Sequence, residues 1–222
     1  MKILNYYFET RLEFSEPVTN HDFVLRCMPP NTGSQTVIDA QIIVEPPATL
    51  AAQVDGFGNH LQVGRLEGAH DNFSFVSSGM VMVDTARINP APAHPIYLRE
   101  SELTSAGDAI KEFVSDVLRV SANLPALQKA RRLSDAVSQA MSYEKGATDV
   151  STTAEKALAG GRGVCQDSAH VLVAACRRAG VPARYVNGFL IGEGQTHAWA
   201  EVHDGTCWHG LDPTNRREVD CD

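Results

Sequence analysis

The segment Gly160-Gly161-Arg162-Gly163-Val164-Cys165-Gln166-Asp167-Ser168-Ala169-His170 brings three glycines up to a cysteine. Cys165 opens an apolar-striped run that reaches Arg178, and Gly180 and Pro182 supply the usual stop signals of a helix. The spacing therefore places Cys165 at or beside a helix N-terminus. Unpaired N–H groups and the macrodipole favour negative charge there, so the expectation is a thiol with a lowered pKa that populates the nucleophilic thiolate. A nucleophile of this kind needs a base and a group that orients the base. Downstream, Thr196-His197-Ala198-Trp199-Ala200-Glu201-Val202 offers the base on a strand-like run, and Leu211-Asp212-Pro213-Thr214-Asn215 offers the orienter.

Turn chemistry connects those two blocks. Asp204-Gly205 is a tight hairpin signal, with Cys207-Trp208-His209-Gly210-Leu211 as the return strand. Counted outward from the centre of that pair, His197 and Asp212 are equidistant. Residues so related are expected to be cross-strand neighbours with Cβ atoms about 5 Å apart, close enough for Asp212 to accept a hydrogen bond from the imidazole. Cys165, His197 and Asp212 then fill the roles of nucleophile, general base and orienting carboxylate. The Cys165 N–H is the expected first oxyanion donor, with Gln166, Trp199 and Tyr143 as candidates for the second.

The competing reading makes Cys165 a small buried hydrophobe and His197 a hydrogen-bonded strand histidine; the glycine-rich entry, the helix start and the register-matched Asp212 argue against it. A metal site built from His197, His203, Cys207 and His209 is disfavoured. His203 lies six strand residues from His197, on the order of 20 Å, and neither a C-x-x-C nor an H-x-x-x-H pair accompanies them. No metal and no cofactor is expected. Asp167 and His170, on the first turns of the Cys165 helix, read as charge complement and packing partner.

Composition bounds the rest. A chain of 222 residues, 43 % hydrophobic, can bury a normal core in one or two domains. Nineteen Lys+Arg against 27 Asp+Glu, net −8, with no basic run, argue against a nucleic-acid partner. The longest apolar run, Ala169 to Cys176, is too short to span a membrane, and the opening residues lack the pattern of a signal peptide. Five scattered cysteines (27, 165, 176, 207 and 221) suit a reducing compartment, so a cytoplasmic location is expected.

From Met1 to about Asp84 the chain reads as short strands: Tyr6–Phe14, Phe23–Met28, Val37–Val44, His60–Val63 and Phe73–Val83, separated by Pro, Gly and Asn turns. An antiparallel sandwich-like domain is expected, with His21, His60 and His70 in bland surface roles. Pro90, Pro92 and Pro95 mark a linker or crossover between Ile88 and Tyr97, giving domains 1–95 and 96–222. Ser105–Val120 has helical periodicity, and a second helix starts at Pro125 with Leu127, Ala130, Val137, Ala140 and Met141 inside. Thr152 with Glu155 forms a capping-box pattern before a short helix ending at Gly160-Gly161. Cys176 reads as a small core residue, and Ala183–Leu190 as a strand.

Four blocks taken together resemble the bacterial transglutaminase-like superfamily: Gly161–His170, Gly180–Gly188, Thr196–Val202 and Asp212–Asn215. Tyr143-Glu144-Lys145-Gly146 and Thr152-Thr153-Ala154 are similar to that family's approach to its cysteine, and the Asp55–Asn59 region to its N-terminal β domain. The resemblance implies an α+β protein: an antiparallel β-sandwich-like domain, then a papain-like core with helices packed on an antiparallel sheet. It maps Cys165 to nucleophile, His197 to base and Asp212 to orienter, and implies no calcium. Thiol-dependent acyl transfer on a peptide or protein amide through a thioester is expected, with hydrolysis favoured over transfer to an amine. A catalytically idle binding or scaffold protein is the alternative. The stop soon after the Asp block, at Cys221-Asp222, departs from the family and predicts a raw edge on the His197 sheet, open to edge-strand association.

Overall fold

A computed structural model describes residues 1–84, 90–119 and 123–219. Val120, the Ile88 end of the proline-rich run and Cys221 lie outside them. The chain divides into two compact units, with the described residues to Asp84 in the first and those from Pro90 in the second.

The first unit has six strands: β1 (Lys2–Val18), β2 (His21–Leu25), β3 (Gln35–Glu45), β4 (Leu50–Val54), β5 (His60–Leu66) and β6 (His70–Val83). They form two antiparallel three-stranded sheets, ordered β1-β6-β3 and β2-β5-β4. Phe23 and Leu25 from β2, Leu66 from β5, Val44 from β3 and Phe73 from β6 share one apolar cluster, so both sheets contribute to the core. Strand β4 has no counterpart in the sequence reading; its small, polar Ala51-Ala52-Gln53 carries little β signal. His21 and His70 also depart from their bland surface reading. Their rings stack at 5.3 Å between centroids, and Nδ1 of His21 lies 3.1 Å from Nε2 of His70. Phe14, Phe23 and Phe73 pack edge-on around His21.

The second unit is α+β. Helices α1 (Asp108–Leu118), α2 (Ala126–Ala140), α3 (Ala154–Gly160) and α4 (Cys165–Arg178) accompany a four-stranded sheet of β9 (Ala183–Gly188), β10 (His197–His203), β11 (Trp208–Asp212) and β12 (Arg217–Glu218). The sheet order is β12-β11-β10-β9, antiparallel throughout. A two-stranded parallel pair, β7 (Ser142–Tyr143) and β8 (Arg162–Gly163), lies ahead of Cys165. The His197 strand is therefore flanked on both sides. The sheet's edges are β9 and the two-residue β12.

Helix α4 is the centre of this unit. Every residue from Asp167 to Cys176 is buried, whereas an apolar stripe alone would leave a wet face. The helix packs on α1, α2 and α3 and on β9 and β10, so it is covered all round. It ends as the glycine signal predicts. Gly180 has φ +76°, and the N–H groups of Gly180 and Val181 donate to the carbonyls of Arg177 and Cys176 at 3.0 and 2.8 Å, the pairing of a Schellman cap. In α2 the inner stripe holds at Ala130 and Val137, with Leu133 added at 0 % exposure, but Ala140 is exposed.

The capping of α3 differs from the sequence reading. Thr153, not Thr152, is the N-cap and accepts from the Lys156 N–H at 3.3 Å. Glu155 turns to another helix instead: its carboxylate oxygens accept from the Ala109 and Ile110 N–H groups of α1 at 2.7 and 3.1 Å. Helix α1 has no side-chain cap of its own, its N-cap being Gly107, and a Cβ at Gly107 would come within 2.5 Å of the Glu155 carboxyl carbon. A charged acceptor serving two otherwise orphaned donors is worth about 2 kcal/mol. Glu155→Ala is accordingly expected to lower unfolding stability by about that amount, read from the midpoint of a urea titration at neutral pH.

Candidate active site

Cys165 is the first residue of α4, after the extended N-cap Val164. The first helical bond runs from the Ser168 N–H to the Val164 carbonyl at 3.2 Å. The N–H groups of Cys165, Gln166 and Asp167 precede that bond and have no partner within the helix. Asp167, 1 % exposed, organises this start. Its Oδ2 accepts from the Val164 N–H at 2.7 Å and from Thr148 Oγ1 at 2.6 Å. The same carboxylate explains a glycine of the motif: a Cβ at Gly163 would sit 2.5 Å from Asp167 Oδ2. Gly161, the left-handed C-cap of α3 at φ +66°, makes the turn that delivers the chain to β8 and the cysteine.

His197 and Asp212 meet, though not by the expected register. The observed pairs run from His203 opposite Trp208 to Ala200 opposite Leu211. Asp204 to Cys207 form a four-residue loop rather than a two-residue turn, and continuing the ladder sets Asp212 opposite Trp199. His197 is then the diagonal neighbour of Asp212 on the same face, a relation that long side chains still bridge. His197 Nε2 donates to Asp212 Oδ2 at 2.8 Å, with the carboxylate 1 % exposed.

Asn215 is a member of this site that the sequence reading quoted without assigning it a role. Its Nδ2 donates to Asp212 Oδ2 at 2.7 Å and stands 3.3 Å from His197 Nε2. Asp212 Oδ1 accepts from the N–H groups of Thr214 and Asn215 at 3.1 and 3.2 Å. Both carboxylate oxygens are therefore met by donors, and the Asp-Pro-Thr-Asn turn was the available signal. Because Nε2 is committed to Asp212, Nδ1 is the ring atom left to exchange a proton.

Cys165 stands outside this hydrogen-bonded line. Among the described residues no hydrogen bond joins its sulfur to the His197 ring. On β9, the Tyr185 hydroxyl is pushed up to about 12 by partial burial first, then by electrostatic interaction with Cys165 and Asp167. His170, 7 % exposed, packs its ring 4.9 Å from that of Tyr185. Burial lowers the His170 pKa, against the smaller raising effect of Asp167.

Of the oxyanion candidates, Tyr143 is 58 % exposed. The buried indole Nε1 of Trp199 has no hydrogen-bond partner among the described residues. Its ring lies parallel-displaced from that of His197, 6.3 Å between centroids, and covers Gly188, where a Cβ would come within 2.4 Å of the indole.

With this geometry in hand, comparison with known proteins identifies the class. Residues 113–213 match the transglutaminase-like superfamily core, and residues 4–82 match the bacterial transglutaminase-like N-terminal region. The second unit thus carries a transglutaminase-like core and the first a bacterial transglutaminase-like N-terminal region. An uncharacterized protein of Mycobacterium tuberculosis (strain ATCC 25618 / H37Rv) is 27 % identical over 95 % of this chain and 78 % of its own length. One from Mycobacterium leprae (strain TN) is 26 % identical over 93 % of this chain and 81 % of its own. The crystal structure of a candidate cysteine protease from Cytophaga hutchinsonii superposes with a TM-score of 0.77 at 21 % identity, covering 95 % of this chain and 79 % of that one. Among the described residues no helix is long and apolar enough to cross a membrane.

Two outcomes follow from the site's packing. Gly163→Ala forces the Asp167 carboxylate away from Val164 and is expected to slow iodoacetamide labelling of Cys165 and to cost about 1–3 kcal/mol of stability, measured by timed mass spectrometry and urea unfolding. His170 has a folded pKa below its unfolded value, so the unfolded chain takes up the proton first. Its contribution is intact above the ordinary histidine value of about 6.5 and is lost as pH falls through the lowered folded pKa. His170→Phe is expected to flatten the decline of stability below pH ~6.5, measured by urea unfolding across a pH series.

Proposed function

We propose that this protein is a thiol-dependent acyl-transfer enzyme acting on peptide or glutamine side-chain amides, with water as the favoured acceptor. The observation that carries this reading is the buried His197–Asp212–Asn215 line, which holds an imidazole with Nδ1 free on the sheet against which the Cys165 helix packs. Buried histidine–carboxylate pairs also serve structural ends, but this one belongs to a unit whose cysteine begins a helix with unpaired N–H groups.

In this reading His197 Nδ1 takes the thiol proton as Cys165 Sγ attacks the amide carbonyl carbon. Asp212 steadies the resulting imidazolium through Nε2. The tetrahedral oxyanion is met by the Cys165 N–H and by the unpartnered Trp199 indole N–H. Collapse breaks the C–N bond, His197 protonates the departing amine or ammonia, and a thioester remains on Cys165. Water, deprotonated by His197, attacks that thioester and returns the carboxylic acid and free thiol; a primary amine in its place would give a new amide. Phe189, Leu190 and Ile191, 41, 38 and 61 % exposed in the loop that leads to His197, offer an apolar surface for a substrate side chain.

The test is mass spectrometry of a glutamine-containing peptide incubated with the protein, with and without a primary amine. Conversion of glutamine to glutamate, or backbone cleavage, is expected even when the amine is present. Cys165→Ala should abolish turnover, and Asp212→Ala should lower kcat about a thousandfold. A Cys165 that labels with iodoacetamide no faster in the native protein than in urea, and a chain that turns over no peptide, would make it a scaffold instead. Trp199→Phe is expected to reduce kcat about a hundredfold while leaving Cys165 labelling unchanged, which separates transition-state stabilisation from thiol activation.

A further inference from the structure

At the tip of the β10–β11 hairpin, away from Asp212, three dissimilar donors converge: a carboxylate oxygen of Asp204, the Cys207 thiol and the His209 ring, all within 4.8 Å of one another. His209 Nε2 lies 2.8 Å from Asp204 Oδ2 and 3.3 Å from Cys207 Sγ, and Cys207 Sγ lies 3.8 Å from Asp204 Oδ2. In a tetrahedral zinc site with Zn–S of about 2.3 Å and Zn–N or Zn–O of about 2.0–2.1 Å, neighbouring ligand atoms stand roughly 3.3–3.6 Å apart. The three observed edges bracket that spacing. The short one is the edge on which a direct N–H···O bond now stands.

The loop holds these donors in advance of any ligand. Asp204 Oδ1 accepts from the N–H groups of Thr206 and Cys207 at 2.7 and 2.9 Å, which leaves Oδ2 turned toward the cysteine and histidine. Gly205, at φ +107°, donates its N–H to His203 Nδ1 at 3.1 Å. That accepted bond requires the His203 proton on Nε2, which donates to the Ala91 carbonyl at 2.6 Å. The Ala91 N–H in turn donates to the Thr206 carbonyl at 3.0 Å. Cys207 is 8 % exposed, while the Asp204 and His209 side chains are about a quarter exposed. One side of the cluster is therefore walled by protein and the other faces water.

The geometry points to Asp204, Cys207 and His209 as a three-ligand site for a borderline-soft divalent cation of the Zn²⁺ class, its fourth position open to water. Thiol and imidazole donors disfavour Mg²⁺ and Ca²⁺, which take oxygen ligands. On binding, the Cys207 thiol gives up its proton to solvent, the His209 ring proton moves from Nε2 to Nδ1, and the cation takes the vacated positions. The spacing argument against a metal at His197 and His203 is untouched by this. It omitted Asp204, which counted only as a turn residue, and Asp204 is the ligand that closes the set. The site ties the two strands of the hairpin whose other end carries His197 and Asp212, so occupancy would stiffen the base-bearing strand without touching the reacting atoms.

Zn²⁺ and Co²⁺ titration of the full-length Cys165→Ala protein tests this, since that background removes a second thiol that could compete for a soft cation. One equivalent is expected to bind, with a thiolate-to-cobalt charge-transfer band in the near ultraviolet. At a hundredfold excess over Kd, Zn²⁺ should raise Tm by roughly 5–10 °C. Adding Cys207→Ser should abolish the band. His209→Ala and Asp204→Asn, the latter keeping the oxygen that braces the loop, should each weaken Zn²⁺ by at least about tenfold to a hundredfold, a cost that even outer-shell changes carry. Far-ultraviolet circular dichroism confirms that each variant is folded. The inference is overturned if the Cys165→Ala protein binds no metal, if folded Cys207→Ser binds as tightly as its parent, or if wild-type binding is lost with Cys165→Ala alone.

Discussion

A carboxylate taken out of water is stabilised by the donors that meet it, and two such carboxylates hold the second unit in shape. Asp167 and Asp212 are each 1 % exposed. The first binds the backbone at the entry to α4 and the Thr148 hydroxyl; the second binds the His197 ring, the Asn215 amide and two backbone N–H groups of its own turn. Each is placed at the end of an element, where donors lack a partner in the helix or ladder. Asp212 is met by donors on both oxygens and Asp167 on Oδ2, its Oδ1 having no partner among the described residues, and the two carboxylates fix the chain directions around Cys165 and His197.

Helix α4 makes this arrangement rigid. A helix buried on every face can neither slide nor rotate without opening cavities, and its ten consecutive buried residues include the polar Asp167, Ser168 and His170. Its cysteine end is correspondingly well placed, while the loop of Phe189, Leu190 and Ile191 is the exposed apolar part of the same unit. The hairpin that carries His197 is braced at its far tip by the Asp204 loop and by the stacking of Arg184 over Trp208 at 4.2 Å.

Several features were legible before any coordinates because they depend on local chemistry. Gly161 and Gly180 adopt the positive φ that their places as helix terminators demand, and β10 spans the alternating run from His197 to His203. Other features depend on side chains reaching across the fold. Glu155 looked like the partner of Thr152 because both lie within one turn, yet α1 offered it two orphaned N–H groups and won. The Asp204-Gly205 pair was read as the whole turn, but Asp204 caps two further residues and lengthens the loop, which slides the register and makes His197 and Asp212 diagonal neighbours. Ala140 was assigned inward by periodicity alone, and the exposed end of α2 outlasts its packing.

What the sequence by itself determined is the class of the protein: a glycine-led cysteine at a helix start, a histidine on a strand and an aspartate at the next strand's end, each marked by short-range turn and capping rules. Only the tertiary structure decided that α4 is covered on all sides, that Asn215 completes the histidine–carboxylate line, that Gly163 must be bare for Asp167 to fit, and that Asp204 meets Cys207 and His209. The physical reason is that propensity and periodicity report the conformation of a segment, whereas hydrogen-bond partners and burial depend on which other segment arrives beside it.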